Sequence, residues 1–289
     1  MKVIDGGLST ELERLGAVIE GNLWTGQNLL TNPQLVEAAH RNYAEAGAKI
    51  AITASYQVSR IGFEEIGLTK ADADEALRRS VSIARTGTAG TDSKVAASVG
   101  PYGAVLHDGS EFRGDYKVSQ WQLEDFHSER LEVLLDAEPD MLAVETIPNV
   151  IESKALRNVL EGVKIPFWIS FTAGSGDKLW SGEEVIEAAQ AVAGLNNLIS
   201  VGVNCVDPIH VASLITKIYS VTSLPSVVYP NCGGTWDSAS GAWEGGSKRS
   251  LSQWIPEWKN LPIEWVGGCC GTDALDIEEL SLTLESITD

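Results

Sequence analysis

Residues 141–160 read MLAVETIPNVIESKALRNVL, and the fold is decided there. A short apolar, β-branched run, 141–146, ends in the polar pair Glu145-Thr146. Asn149, a residue type whose side chain caps helix N-termini, then opens a segment of helical periodicity at 150–160. The unit is strand, turn, helix.

Working outward, the same unit recurs over the whole chain. Further apolar runs lie at 3–7, 49–54, 94–100, 167–172, 199–204, 226–230 and 263–268. Helical segments alternate with them, each with a recognisable start. Asn32-Pro33 precedes 35–46, Thr69 precedes 71–85, Ser119 precedes 121–136, and Asp207-Pro208 precedes 209–220. Ser181 with Glu184 reads as a capping box, Ser250 opens a short segment interrupted by Pro256, and Thr272 opens 274–287.

Strands alternating with helices imply a parallel sheet. Eight such units in 289 residues fit a closed (β/α)8 TIM barrel, an architecture of about 250 residues. The alternative, an open doubly wound sheet, usually has fewer strands. Its dinucleotide-binding version carries GxGxxG after a strand, a spacing absent from these strand ends. No linker, charge block or low-complexity tract divides the chain, so residues 1–289 are expected to form a single barrel domain.

The chain carries 21 Lys+Arg against 40 Asp+Glu, a net charge of −19. Phosphate backbones and anionic membrane surfaces repel such a chain, which argues against a nucleic-acid partner. The start, MKVIDGG, lacks a signal-peptide core, and no apolar run approaches the roughly 20 residues that span a bilayer. The expectation is a cytoplasmic protein, monomer or homodimer, acting on small molecules. In that compartment thiols stay reduced, so Cys205, Cys232, Cys269 and Cys270 are buried apolar residues, nucleophiles or metal ligands rather than a disulfide framework.

In a barrel the chemistry sits at the C-terminal strand ends. In order these offer Asp5-Gly6-Gly7; Thr53, Ser55 and Tyr56; Ser98; Glu145-Thr146; Ser170 and Thr172; Asn204-Cys205; Asn231-Cys232; and Gly267-Gly268-Cys269-Cys270. The longest connections, 8–31, 101–118, 173–182 and 232–249, all follow such ends, so one rim carries the loops. Cys205 closes VGVNC, and Cys269 and Cys270 close VGGCCGT. Successive strand side chains point to opposite faces, so neighbouring cysteines share a centre only where the backbone leaves strand geometry. Gly267, Gly268 and Gly271 permit that departure. Three converging thiolates suggest Zn²⁺, bound tetrahedrally with one position open. Cys232 is read as outside the stable ligand set. Asp5 beside two glycine amides, with Glu145, suits an α-amino acid: the carboxylates take its ammonium and the amides its carboxylate. The competing readings are a capping role for Asp5 and a buried ion pair for Glu145.

A zinc with three thiolates can hold a substrate thiolate and lower its pKa without quenching its nucleophilicity. The reaction implied is attack on an electrophilic carbon such as the methyl of a sulfonium. Four tryptophans on the long loops, Trp24, Trp180, Trp236 and Trp243, are candidates for a cation–π face toward that charge.

Several segments resemble the homocysteine S-methyltransferase family: DGGLSTELERLG, AGAKIAITASYQ, SVGPYGAVLHDGSEFRGDY, AVETIPN, VGVNC, VVYPN and GGCCGT. The GPYGA…DGSEFRGDY stretch is similar to the subgroup that uses S-methylmethionine or S-adenosylmethionine. The resemblance implies zinc on Cys205, Cys269 and Cys270, and homocysteine held by Asp5, Glu145 and the Gly6 and Gly7 amides. It also implies an oxygen ligand in the open position before substrate arrives, with Tyr56 and Asn231 at matching strand ends. One departure is Pro230-Asn231-Cys232-Gly233-Gly234, where the family commonly reads PNSGE. The chain's length leaves no room for a cobalamin or folate module. Rival readings are a methyltransferase for selenocysteine or another thiol or selenol, and a non-catalytic zinc-binding or thiol-sensing barrel. A barrel aldolase would want a lysine at a strand end, and none stands there.

Overall fold

The computed structural model describes all residues except 20–22, 175, 238–241, 245–248 and 289. The side chains of Trp236 and Trp243 also lie outside the described set.

The eight expected strands are Lys2–Val3, Ile50–Ile52, Lys94–Val99, Met141–Ile147, Phe167–Phe171, Leu198–Asn204, Ser226–Tyr229 and Ile263–Val266. They pair in parallel in chain order, and the first lies beside the last. Lys49 N–H donates to Val3 O (2.8 Å) and Asp5 N–H to Ile50 O (3.2 Å), which joins the first strand to the second and closes the ring. The (β/α)8 barrel is thus the fold.

Helices Pro33–Glu45, Lys70–Gly87, Gln120–Asp136, Val150–Leu160, Val185–Val192, Val211–Thr222 and Ala274–Thr288 alternate with the strands. Their apolar stripes explain the packing: Lys70–Gly87 buries Ala73, Ala76, Leu77, Ser80, Val81 and Ala84, spaced three and four apart on one face. Among the described residues, no helix is long and apolar enough to cross a membrane.

Several expected caps form. Thr69 and Asp72 cap each other's backbone, and Asn149 accepts from Glu152 N–H at 2.9 Å. Two expected starts are corrected. The segment before Val185 folds back through bridges Ala173–Leu179 and Lys178–Glu184, so Ser181 donates to Glu183 (2.7 Å) and makes no capping box with Glu184. At the last helix Asp273 is the cap, accepting from Leu275 N–H (2.8 Å) and Asp276 N–H (3.2 Å), while Thr272 Oγ1 donates to Cys269 O (2.6 Å).

The barrel interior is layered. Its lower part is an apolar cluster of Ile4, Ile50, Ala96, Met141, Ala143, Trp168 and Val227. Two residues further along the same strands, on the same face, stand Ser98, Glu145, Ser170 and Tyr229. These form the floor of a polar site.

Candidate metal and substrate site

Cys205 follows the sixth strand with φ +49°, a conformation non-glycine residues seldom adopt. The turn takes its side chain out of strand alternation, while its N–H is held by Tyr229 O at 3.0 Å. Cys269 N–H donates to Pro230 O (2.8 Å), and Cys232 N–H to Cys270 O (2.9 Å). Gly7 and Gly268 are required by close approach: a Cβ on Gly7 would strike the Cys269 carbonyl, and one on Gly268 the Thr272 hydroxyl. Gly271 supplies the turn itself at φ +78°.

The outcome is one sulfur cluster. The Sγ atoms of Cys205, Cys269 and Cys270 lie within 4.8 Å of one another. Cys205–Cys270 is 3.6 Å and Cys269–Cys270 is 4.0 Å. A tetrahedron with Zn–S of about 2.3 Å has edges of about 3.8 Å, so the donor set fits such an ion in both chemistry and spacing. The Cys205 and Cys269 thiols donate toward Cys270 and hold its pKa well below the ordinary thiol value. Cys232 stands apart, half-buried, and lines a small separate cavity with Asn231, Trp254 and Asp276.

Two carboxylates stand in the same polar layer, in the first and fourth strand ends. Glu145 sits where the register between the fourth and fifth strands shifts, between Val144 and Ile147, a bulge of the kind that re-aims side chains. Its Oε1 accepts from Ser98 Oγ. Burial pushes Glu145 up to about 7 against the restraining Ser98 hydrogen bond. Asp5 Oδ2 accepts from Ile52 N–H at 2.6 Å, whereas Oδ1 is buried with no protein partner. Burial raises Asp5 well above the usual carboxylate range.

The competing readings fail on these contacts. The helix Leu8–Arg14 has Gly7 as its N-cap and no side-chain cap, so Asp5 caps nothing. Among the described residues, no ion pair involves Asp5 or Glu145. Two buried carboxylates and an orphan oxygen thus stand with no cation of their own among the described residues, an arrangement able to take one.

Two expected contributions change. Gly7 N–H is already spent on Thr272 O (3.0 Å) and Oγ1 (3.2 Å), so the Gly6 amide is the one left for a ligand. Asn231 Oδ1 accepts from Gly233 N–H (2.9 Å), which folds the Asn231–Gly233 turn and gives that oxygen a backbone partner. The Tyr56 hydroxyl is within hydrogen-bonding reach of Thr146, and burial keeps it protonated. Trp24 packs edge-on against the Tyr56 ring at 6.1 Å.

Asn204 was visible in the sequence only as a strand-end residue, and its role comes from the fold. Its Oδ1 accepts from Thr146 N–H (2.7 Å) and Ser170 Oγ (2.8 Å), and its Nδ2 donates to Thr146 Oγ1 (2.7 Å). It therefore clamps Thr146, at φ +62°, and ties Glu145 to Cys205 through its own neighbours. Arg130, fully buried, similarly donates to Ser55 O (3.1 Å), Tyr56 O (2.9 Å) and Gly100 O (2.9 Å) and fixes the Tyr56 turn. An arginine within a helix gives no such signal in sequence.

Fold and site together define a class: a (β/α)8 barrel with a thiol cluster and two buried carboxylates at its loop end. A family model described as homocysteine S-methyltransferase matches residues 2–284. Homocysteine S-methyltransferase 1 of Arabidopsis thaliana is 39% identical over 303 residues, covering 98% of this chain and 93% of that protein. The homocysteine S-methyltransferase of Escherichia coli strain K12 is 38% identical over 290 residues, covering 96% and 93%. The metallated form of the E. coli homocysteine methyltransferase MmuM matches with a TM-score of 0.86 at 36% identity, covering 98% of this chain and 96% of that one. The chain belongs to the homocysteine S-methyltransferase family.

Proposed function

We propose that this enzyme transfers a methyl group from a sulfonium donor, S-methylmethionine or S-adenosylmethionine, to L-homocysteine, with zinc as its cofactor. The observation that carries the reading is the sulfur triad, with spacings of 3.6 and 4.0 Å, in the same polar layer as two buried carboxylates that lack a cation. Cys205, Cys269 and Cys270 would hold the ion, which when bound supplies the charge that keeps a substrate thiol ionised at neutral pH. Asp5 Oδ1 and Glu145 receive the homocysteine ammonium, and the Gly6 amide its carboxylate. Tyr56, whose buried hydroxyl stays neutral, would stand in before substrate arrives, Asn231 Oδ1 being already engaged by Gly233 N–H.

The chemistry balances simply. The homocysteine thiol loses its proton to solvent, and its sulfur lone pair forms the new S–CH3 bond. The old C–S bond breaks with its electron pair remaining on the donor sulfur, which leaves as a neutral thioether. No general acid is required, so alignment of the two substrates supplies much of the rate.

The test is zinc content together with methionine formation from homocysteine and each sulfonium donor, with selenocysteine as an alternative acceptor. Cys205→Ser is expected to lose the metal and more than about 100-fold of the activity. Full turnover in that variant, or in metal-free protein, would sink the proposal.

A further inference from the structure

The loop 101–118 carries one carboxylate with an oxygen that the protein leaves unsatisfied. Its other acids are engaged. Asp108 accepts from Ser110 N–H (2.9 Å) and pairs with Arg113 (3.1 Å), and Asp115 pairs with the same arginine (3.3 Å). Glu111 has no ion pair among the described residues, and its Oε2 is buried without a hydrogen-bond partner. An unpaired buried carboxylate oxygen costs free energy unless something else satisfies it.

Its backbone position is fixed, and a chain of contacts links its neighbour Phe112 to the strand end that carries Cys205. The Glu111 backbone rests against Gly103, where a Cβ would lie 2.6 Å from Glu111 N. The next residue, Phe112, meets Trp180 edge-on at 6.2 Å. Trp180 Nε1 donates to Thr172 Oγ1 (3.2 Å), which donates to the Cys205 carbonyl (3.2 Å). From the other side, the Glu111 charge weighs on the Tyr56 hydroxyl. Trp180 is 41% exposed, so part of its ring reaches solvent beside Phe112.

We propose that Glu111 is the counter-ion for the positively charged methyl donor and sets the enzyme's preference for cationic donors. The acceptor's ammonium already has Asp5 and Glu145. A second substrate that arrives with a positive charge must shed water at the rim, and Glu111 with the Trp180 face replaces that solvation. The inference rests on the sulfonium-donor reading above.

The test uses the full-length, zinc-loaded enzyme with Glu111→Gln and Glu111→Asp, measuring separate KM values for donor and homocysteine alongside thermal unfolding. Glu111→Gln is expected to raise the donor KM at least tenfold with the homocysteine KM within twofold, and Glu111→Asp to recover part of the loss. A donor KM within twofold of wild type overturns the proposal, as does a parallel rise in both KM values, which would mark Glu111 as a loop support. Absence of wild-type turnover with both sulfonium donors would bring down the donor reading itself. Wild-type turnover with an unaffected Gln variant would bring down only the role of Glu111.

Discussion

The lower and upper halves of the barrel interior stand on the same strands and obey opposite rules. Below, Ile4, Ile50, Ala96, Met141, Ala143, Trp168 and Val227 close an apolar plug, and Trp168 Nε1, its polar atom, is satisfied by Tyr229 at 3.0 Å. One inward position higher, Ser98, Glu145, Ser170 and Asn204 make the lining polar, and nearby Asp5 Oδ1 is left without a partner. The strand period delivers both sets to the axis, so a single step in composition separates the part that stabilises from the part that binds. Stability is given up where ligands are taken.

That contrast can be broken first from below. Trp168→Ala should remove about 3–5 kcal/mol of stability by opening a cavity, read as a lower urea midpoint, while the Tyr229 hydroxyl keeps Ser170 as a partner. If stability barely changes, the plug is not what supports the rim.

The next effect comes from above and has the opposite sign. Glu145 titrates near 7 in the fold against about 4.3 in an unfolded chain. Its raised value means the folded protein holds the proton more tightly. That contribution is complete below the unfolded pKa and is lost as pH rises through 7. Glu145→Gln, free of the charge, should therefore exceed metal-free wild type by up to about 3 kcal/mol at pH 8 and match it near pH 4, while losing homocysteine affinity. Equal denaturation curves at both pH values would remove the stability cost assigned to this carboxylate.

Smaller still is Asn204→Ala. It strips partners from Thr146 and Ser170 and should cost about 2 kcal/mol, with a homocysteine KM that rises because Glu145 loses its support. A stability loss with an unchanged KM would make Asn204 a purely structural clamp.

The barrel was legible because each strand is a compact apolar run and most helices announce themselves with a local cap. Ser181 and Thr272 misled because a capping residue is recognised by type, while long-range bridges and the Cys269 carbonyl decided what those side chains bonded. The loops hid more: helices Leu8–Arg14, Thr25–Thr31 and Arg60–Glu65 are too short for a periodicity to show. At the site, the three cysteines were readable from strand-end position alone. The use of the Gly7 amide by Thr272, the Asn231 turn and the Asn204 clamp were not, since each depends on which atoms the closed ring brings within 3 Å or so of one another.

The two ends of the chain meet at the reactive centre. Gly268 N–H donates to Asp5 O (3.0 Å), Ile4 N–H to Val266 O (2.9 Å), and Gly7 to a residue 265 positions later. Such contacts are last to form because so much chain must be synthesised and brought round first. On the ribosome, then, a nascent chain short of its final strand carries Asp5, Gly6 and Glu145 but only Cys205 of the sulfur triad. Closure of the ring and assembly of the sulfur triad therefore wait for the same last stretch of chain.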